Sequence, residues 1–261
     1  MNKPSGLKRK LRSRSKLFAG WTSLAHPSIT EIFTRANFDF IGIDLEHSTV
    51  SQEQAQRIIA ASQAGGVPCL PRVASHNGEQ IHRLLDSGAD GVIVPNVNTP
   101  EQVERLVEWV KYPPIGRRGY GVSRAQGYGF DFDSAVERWN LDSVLLIQIE
   151  SIEAVEAVED LLAHPEVDGA LVGPYDISGS LNLPGRISHP KVREAGQRVV
   201  EVCRKMGRAC GTQVVDPDVA QVAAAFRAGY TLTVMASDVF LLWKWAERMK
   251  DLRKKIQRGK G

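Results

Sequence analysis

The residues of this chain that are best suited to chemistry stand at the ends of short apolar segments or just after them. They comprise carboxylates, an imidazole, a guanidinium and an amide, namely Asp44, Glu46, His47, Arg72, Gln148, Glu150 and Asp176. Side chains of these types can hold a divalent cation, move a proton and stabilise a developing negative charge. They lie far apart in the sequence, so they can act together only if the fold collects them at one place.

Glu150 and Asp176 are the candidate metal ligands. Two carboxylates from neighbouring strands, with water and substrate in the remaining positions, suit Mg²⁺ or Mn²⁺, and the pattern also admits Co²⁺ or Zn²⁺. The alternative is structural: each carboxylate pairs with an arginine, or Asp176 in Asp176-Ile-Ser-Gly caps a helix. Spacing alone leaves both interpretations open.

His47 and Arg72 each have a functional and a structural interpretation. His47 beside Asp44 is typical of an oriented imidazole that acts as a general base near neutral pH, but a histidine in a loop can also be merely exposed. Arg72 at a strand end can stabilise an oxyanion, or it can form a salt bridge to Glu46 or Asp44.

The distribution of lysines bears on the type of chemistry. None of the twelve lysines stands at the end of a predicted strand. An aldolase that works through a Schiff base needs a desolvated lysine among its catalytic groups. We therefore expect a metal ion to stabilise any carbanion formed here.

Eight apolar segments alternate with helical patterns and would position these side chains. The segments cover residues 17–22, 39–44, 68–73, 91–95, 144–149, 168–172, 209–214 and 231–235. Near-continuous apolar strands indicate a parallel sheet with both faces covered. Ser51, Thr99 and Asp216 begin helical patterns as N-caps, the last two with proline in the following position. The sequence thus predicts a single-domain α/β fold, a (β/α)8 TIM barrel whose active site lies at the carboxyl ends of the strands.

Composition and charge fit such an enzyme. The 261 residues are 43% hydrophobic and 24% charged, with a net charge of +3. Basic residues concentrate in an N-terminal extension, 1–16, and a C-terminal tail, 251–261, on either side of a barrel spanning 17–250. Neither cluster contains interleaved aromatics, so we interpret both as solvated ends and expect no nucleic-acid or membrane partner.

The cysteines and the absence of targeting segments suggest the compartment. The chain has three cysteines at unrelated spacings, and no apolar stretch that would make a signal peptide or a membrane span. We expect a reduced, cytoplasmic enzyme. The glycine- and arginine-rich segment 112–143 has no clear strand, and we expect a structured excursion over one face of the barrel, partly helical near 132–138.

Several longer motifs identify a family. They read FDFIGIDLEHS (38–48), PRV (71–73), LLDSGADGVIVPNVNTPEQ (84–102), YPPIGRRGYG (112–121), QIES (148–151), VDGALVGPYDISGSL (167–181) and HP (189–190). Together they resemble the HpcH/HpaI aldolases, the class II pyruvate aldolases of the phosphoenolpyruvate/pyruvate-binding barrel superfamily, over residues 17–245.

The resemblance implies roles for particular residues. Glu150 and Asp176 resemble the metal ligands, and Arg72 the group that binds the pyruvate keto oxygen and stabilises the enolate. His47 with Asp44 resembles a dyad that activates water. The substrate-binding positions implied are Arg72, Gln148, Gly173, Pro174, Tyr175, Asp176 and, reaching a neighbouring subunit's site, Asp86.

The resemblance also implies a reaction and an assembly. The reaction is cleavage or formation of 4-hydroxy-2-oxo acids, giving pyruvate and an aldehyde. The assembly is a homo-oligomer, a hexamer built as a trimer of dimers, with an exchanged C-terminal helix bearing Trp243 and Trp245. Tyr175 departs from the family's small residue in GPxD, and Asn96 from its methionine, which leaves the pocket shape open. The alternatives are another C–C lyase of the superfamily, acting on an acyl-CoA or a phosphonate, and a barrel that binds without catalysis.

Overall fold

The structure is a computed structural model that describes residues 6–259. Eight parallel strands follow one another around a closed barrel, and the last pairs with the first. The strands are β1 Leu17–Thr22, β2 Phe40–Asp44, β3 Cys69–Arg72, β4 Gly91–Val94, β5 Val144–Ile149, β6 Gly169–Val172, β7 Ala209–Val214 and β8 Leu232–Met235. The predicted barrel is confirmed, and each predicted strand agrees with the observed one to within a residue at either end.

Helices surround the barrel. They are α1 Gly6–Arg12, α2 Pro27–Thr34, α3 Gln52–Ala64, α4 Gly78–Asp86, α5 Pro100–Val110, α6 Phe132–Asp142, α7 Ile152–Glu156, α8 Val158–Ala163, α9 Pro174–Ser180, α10 Pro190–Lys205, α11 Val219–Arg227 and α12 Asp238–Gln257.

The helix starts follow local capping chemistry. Ser51 and Thr99 each form a reciprocal capping box, with Gln54 and Gln102, as their positions predicted. Asp216 is not a cap, which corrects the sequence interpretation. The cap of α11 is Asp218, whose carboxylate accepts the backbone N–H of Gln221 at 2.7 Å.

Two apolar layers separate along the strands. Side chains that face the barrel axis pack together inside it, among them Leu17, Leu70, Leu146, Leu171 and Leu232. The alternate side chains pack between the strands and the outer helices. Because the side-chain direction alternates along a strand, this division fixes which polar residues at the strand ends face the barrel mouth.

The N-terminal segment is part of the barrel rather than a solvated extension. Leu7 and Leu11 of α1 are buried in the axial layer at the amino ends of the strands. Arg12 Nε donates to Asp168 Oδ1 at 2.5 Å, and Lys8 Nζ lies 3.4 Å from Asp168 Oδ2. The interpretation of this segment as a solvated end is therefore wrong for α1. Its apolar residues and two of its cations, Lys8 and Arg12, close the amino end of the barrel. Residues 1–5 and 260–261 of the two predicted basic ends, with Lys3 and Lys260, lie outside the described residues.

A second buried lysine lies at the same end of the barrel. Lys111 Nζ contacts Glu166 at 2.9 Å and donates to the carbonyl oxygen of Ser143 at 2.9 Å. Burial, together with the charge of Lys8, lowers the pKa of Lys111 to about 8. Desolvated lysines thus exist in this protein, but they lie at the amino ends of the strands. A Schiff-base lysine would be needed at the carboxyl ends.

The segment 112–143 is structured, as predicted. It contains a 3₁₀ helix, Arg124–Gly129, and α6, whose Trp139 indole donates to the carbonyl oxygen of Val110 at 2.7 Å. Since it leads into β5, it covers the amino ends of the strands. Its tip exposes Tyr128 and Phe130.

The last helix, α12, is attached to the barrel at its start. The Asp238 carboxylate accepts the backbone N–H groups of Ser23 and Leu24, each at 2.9 Å. Farther along, α12 leaves large apolar side chains exposed, namely Leu241, Leu242, Trp243, Trp245, Leu252 and Ile256. The helix runs without a break through residue 250, so the predicted tail, 251–261, begins inside it, and its residues 251–259 are exposed. Within residues 6–259 no helix combines the length and apolarity needed to cross a membrane.

Candidate active site

A cavity of about 610 Å³ opens at the carboxyl ends of the strands. It collects seven of the predicted site residues in its lining: Arg72, Gln148, Glu150, Gly173, Pro174, Tyr175 and Asp176. Asp44 and His47 lie beside it, and Asp86 lies elsewhere. Tyr175 is 56% exposed at the rim, so the departure from the family pattern affects the entrance of the cavity.

Glu150 and Asp176 converge on one point. A Cβ atom on Gly173 would lie 3.0 Å from Glu150 Oε1 and 3.3 Å from Asp176 Oδ2, so glycine leaves the space between the two carboxylates clear. Glu150 Oε1 accepts from Gln148 Nε2 at 2.7 Å, and Glu150 Oε2 accepts the backbone N–H of Asn96 at 3.0 Å. These bonds fix Glu150 at the cavity wall.

The structural alternatives for this pair are not realised. Neither Glu150 nor Asp176 forms a salt bridge with a described arginine or lysine, and no side chain caps α9 by a hydrogen bond. Burial above all, with the backbone hydrogen bond from Asn96 and the charge of Arg72 acting against it and the charges of Asp176 and Glu46 adding to it, raises the pKa of Glu150 to about 7. Four carboxyl groups, those of Asp44, Glu46, Glu150 and Asp176, therefore lie close together, and Arg72 is the guanidinium among the described residues that pairs with two of them.

Such an arrangement fits a divalent cation. The carboxyl groups outnumber the guanidinium that pairs with them, and Gln148 Oε1 is buried without a hydrogen-bond partner within residues 6–259. No group of three or more His, Cys, Asp or Glu side chains within residues 6–259 is arranged to hold a metal. A cation here would take Glu150 and Asp176 from the protein and complete its shell with water or substrate oxygens.

Arg72 is held by ion pairs while it lines the cavity. Its Nε and Nη2 donate to the two oxygens of Asp44, at 3.1 and 2.7 Å, and its Nη1 lies 3.1 Å from Glu46 Oε2. The guanidinium also lies over the Trp21 ring, 5.3 Å from its centroid. Burial raises the pKa of Asp44, but the hydrogen bond and charge of Arg72 outweigh it, so that pKa is lowered. The salt bridge and the active-site position thus occur together.

His47 differs from the predicted dyad. Asp44 Oδ1 accepts the backbone N–H of His47 at 3.0 Å, whereas the imidazole Nε2 lies 3.7 Å from Glu46 Oε2 and the side chain is 67% exposed. The imidazole–Asp44 contact is absent because the Asp44 carboxylate is already occupied by Arg72 and by the backbone of the turn. Asp44 therefore shapes the loop that carries His47.

Asp86 lies at the opposite end of the barrel from the cavity. It ends α4, and its Oδ1 accepts from Arg118 Nη2 at 2.6 Å. Arg118 is only 1% exposed and contacts the rings of both Tyr112 and Trp139, 4.8 and 4.3 Å from their centroids. Asp86 therefore takes no part in its own chain's cavity.

Sequence reasoning missed several groups in the cavity. Trp21, Gln213 and Val234 line it from β1, β7 and β8, and the backbone N–H of Asn96 helps to hold Glu150. Trp21 and Val234 belong to the axial apolar layer. Counting in steps of two from the axial residues of each strand is the signal that could have found them.

The comparisons with known proteins agree with this geometry. The family model for HpcH/HpaI aldolase/citrate lyase matches residues 17–244. The chain belongs to the HpcH/HpaI aldolase/citrate lyase family. It is therefore an aldolase/lyase of that family, a carbon–carbon lyase.

Individual members of the HpcH/HpaI family match nearly the whole chain. A hydroxypyruvate/pyruvate aldolase of Roseobacter denitrificans is 32% identical over 90% of this chain and 91% of its own length. A 2-keto-3-deoxy-L-rhamnonate aldolase of Salmonella typhi is 33% identical over 84% of this chain and 83% of its own. The crystal structure of a family member from Burkholderia cenocepacia has a TM-score of 0.88 at 30% identity, covering 95% of this chain and 98% of that one.

Proposed function

We propose that this protein is a divalent-metal-dependent aldolase that cleaves or forms 4-hydroxy-2-oxo acids, with pyruvate and an aldehyde as the other side of the reaction. The observation that carries the proposal is the convergence of Glu150 and Asp176 on the clear space at Gly173, with Arg72 lining the same cavity. The names of the Roseobacter and Salmonella relatives support a 2-oxo acid substrate.

Glu150 and Asp176 are the residues that would hold the cation, with Mg²⁺ or Mn²⁺ the best match to two carboxylates and oxygen ligands. When bound, the cation supplies a Lewis acid that polarises the keto group of the substrate. Gln148 fixes Glu150 from the cavity side. The segment from Gly173 to Asp176 borders the same space, and we assign the pyruvate carboxylate to it.

Arg72 stabilises the negative charge that develops on the keto oxygen when the C3–C4 bond breaks. Its fork is already fixed by Asp44 and Glu46, so little reorganisation accompanies the reaction. We assign to His47 the removal of the C4-hydroxyl proton through a water molecule. Asp44 acts on this step indirectly, because it holds both Arg72 and the His47 backbone.

We further propose a homo-oligomer in which α12 is exchanged between subunits. Its exposed apolar side chains have no covering surface within residues 6–259, and the protein carries an apolar groove between β1, β8 and α11. Phe18, Val219, Val222, Phe226 and Met235 line that groove. Such an assembly, up to the hexamer, would also let Asp86 reach a site other than its own.

A proton-exchange experiment tests the proposed reaction without knowledge of the aldehyde. The protein is incubated with Mn²⁺ and pyruvate in D₂O, and loss of the pyruvate methyl proton signal is followed by NMR. We expect exchange that stops on chelation and is absent in Glu150→Gln. Metal-independent exchange, or none in the wild type, contradicts the proposal.

A further inference from the structure

The cavity extends beyond the carboxylate pair toward the other side of the barrel mouth. Its far wall is formed by Gln213, Val215, Asp216, Ala224, Val234 and Phe240, from the ends of β7 and β8 and from α11 and α12. Under the proposed function, the pyruvate portion of the substrate occupies the end near Glu150 and Asp176. The aldehyde portion then lies against this far wall.

Gln213 points from β7 into the mouth. A Cβ atom on Gly211, two residues earlier, would meet Leu171 at 2.3 Å and Leu232 at 3.0 Å, and both leucines belong to the axial layer. Side chains two residues apart on a strand share a face, so Gln213 also faces the axis, one step nearer to the opening. It is exposed there.

The side chain of Gln213 is not engaged in the way that Arg72 and Gln148 are, two other polar groups of the cavity lining. Arg72 is engaged by Asp44 and Glu46, and Gln148 donates to Glu150. The side chain of Gln213 has no hydrogen bond to any residue between 6 and 259. Val215, Val234 and Phe240 make most of the surrounding wall apolar, and Asp216 is its charged member. A bound ligand that covers the amide without forming a hydrogen bond to it loses binding free energy, because the amide gives up its water. A ligand with a hydroxyl group at that point replaces the lost hydrogen bond.

We infer that Gln213 is a specificity-determining residue that hydrogen-bonds a hydroxyl group of the aldehyde, so that hydroxyaldehydes are preferred over aliphatic aldehydes of the same length. This inference rests on the proposed function. The amide can donate to the hydroxyl oxygen or accept its proton, and the apolar wall packs against the carbon chain.

The test compares condensation of pyruvate with glyceraldehyde and with propanal, which have equal carbon counts. We expect the wild type to have the higher kcat/KM for glyceraldehyde. Gln213→Leu is expected to lower that value by about tenfold, the effect of one lost hydrogen bond, while propanal changes by less than about twofold. Gln197→Leu, the same substitution at an exposed position of α10, is the matched control and should change neither.

Pyruvate methyl exchange, measured in parallel, distinguishes a failure of the role of Gln213 from a failure of the proposed function. Normal exchange in Gln213→Leu with a selective loss for glyceraldehyde supports the inference. Normal exchange with equal losses for both aldehydes, or with no loss, overturns the role of Gln213 and leaves the proposed function intact. Absence of exchange in the wild type overturns both.

Discussion

Arg72 and Asp44 are register partners at the ends of β3 and β2, and two hydrogen bonds join the guanidinium fork to the carboxylate. Because both groups come from rigid strands, the arginine is held at the cavity wall without a loop movement. A lysine at position 72 would keep the charge and lose the fork.

We therefore expect Arg72→Lys to lower the rate of pyruvate-forming cleavage by about 10²–10³-fold, the usual effect of removing a preorganised charge-stabilising donor. Mn²⁺ binding should remain, because Arg72 is not a ligand. Arg198→Lys, at the exposed pair with Glu159, is the control and should retain full activity. A fully active Arg72→Lys protein would refute the role given to this residue.

Glu150→Gln tests the metal site by binding rather than by turnover. In the wild type, Mn²⁺ at a hundred times its Kd should stabilise the fold by about 2.7 kcal/mol, measured as a shift of the unfolding transition. The shift should vanish in Glu150→Gln and persist in Glu153→Gln, an exposed position on α7. Equal shifts in the two variants would place the cation elsewhere.

The acidity of Glu150 predicts a pH dependence of that binding. Because burial raises its pKa to about 7, the cation must displace a proton below that pH. Mn²⁺ affinity should fall by about tenfold per pH unit below 7 and level off above it.

The stability of the metal-free protein should change with pH in the opposite direction. Between the ordinary pKa of 4.5 and about 7 the folded state binds a proton that the unfolded state does not, so the free energy of unfolding declines as pH rises through that window. Titration calorimetry and urea unfolding at several pH values measure the two effects.

The buried ion pairs at the amino end of the barrel should contribute to the free energy of unfolding and leave the cavity at the carboxyl ends unchanged. Asp168 is fully buried and neutralises Lys8 and Arg12, so Asp168→Asn leaves two cations without that counter-charge. We expect a loss of about 3–5 kcal/mol in the free energy of unfolding. Glu53→Gln breaks the exposed i,i+4 pair with Arg57 and should change it little. A urea unfolding midpoint unchanged in Asp168→Asn would contradict this assignment.

The exposed face of α12 predicts the assembly. Leu242, Trp245, Leu252 and Ile256 recur at helical spacing on one side. The double variant Leu242→Glu and Trp245→Glu places charge on this face and should reduce the molar mass measured by light scattering. Lys250→Glu, on the same helix, should leave the molar mass unchanged. An unchanged mass in the double variant would argue against exchange of this helix.

The fold could be predicted from sequence because the strands are marked by apolar runs and the helices by caps. The site could be predicted only in part. Arg72 ends β3, Glu150 directly follows β5 and Asp176 lies in the first turn of α9 after β6, so topology alone collects them. Gln213 and Trp21 were missed because parallel strands buried on both faces show no alternation from which the axial face can be read.

Side-chain partners were the least predictable feature. Asp44 and His47 are three residues apart, which makes contact plausible, but Arg72 from another strand occupies the Asp44 carboxylate. The sequence offered this salt bridge only as one of two interpretations of Arg72. The partners of α1 were equally hard to predict. Its basic residues suggest a solvated end, but two of them, Lys8 and Arg12, pair with the distant Asp168. In both cases the deciding charge is distant in sequence.

That distance has a consequence for how the chain is made. Lys8 donates to the carbonyl oxygen of Ser143, 135 positions later, and Arg12 to Asp168, 156 positions later. At a synthesis rate of about 5–20 residues per second, the first helix waits roughly 7–30 s for its partners to be synthesised. The amino end of the barrel is thus completed by a helix that is synthesised well before its partners. Alterations near residue 8 should therefore slow barrel closure during folding and leave the finished mouth unchanged.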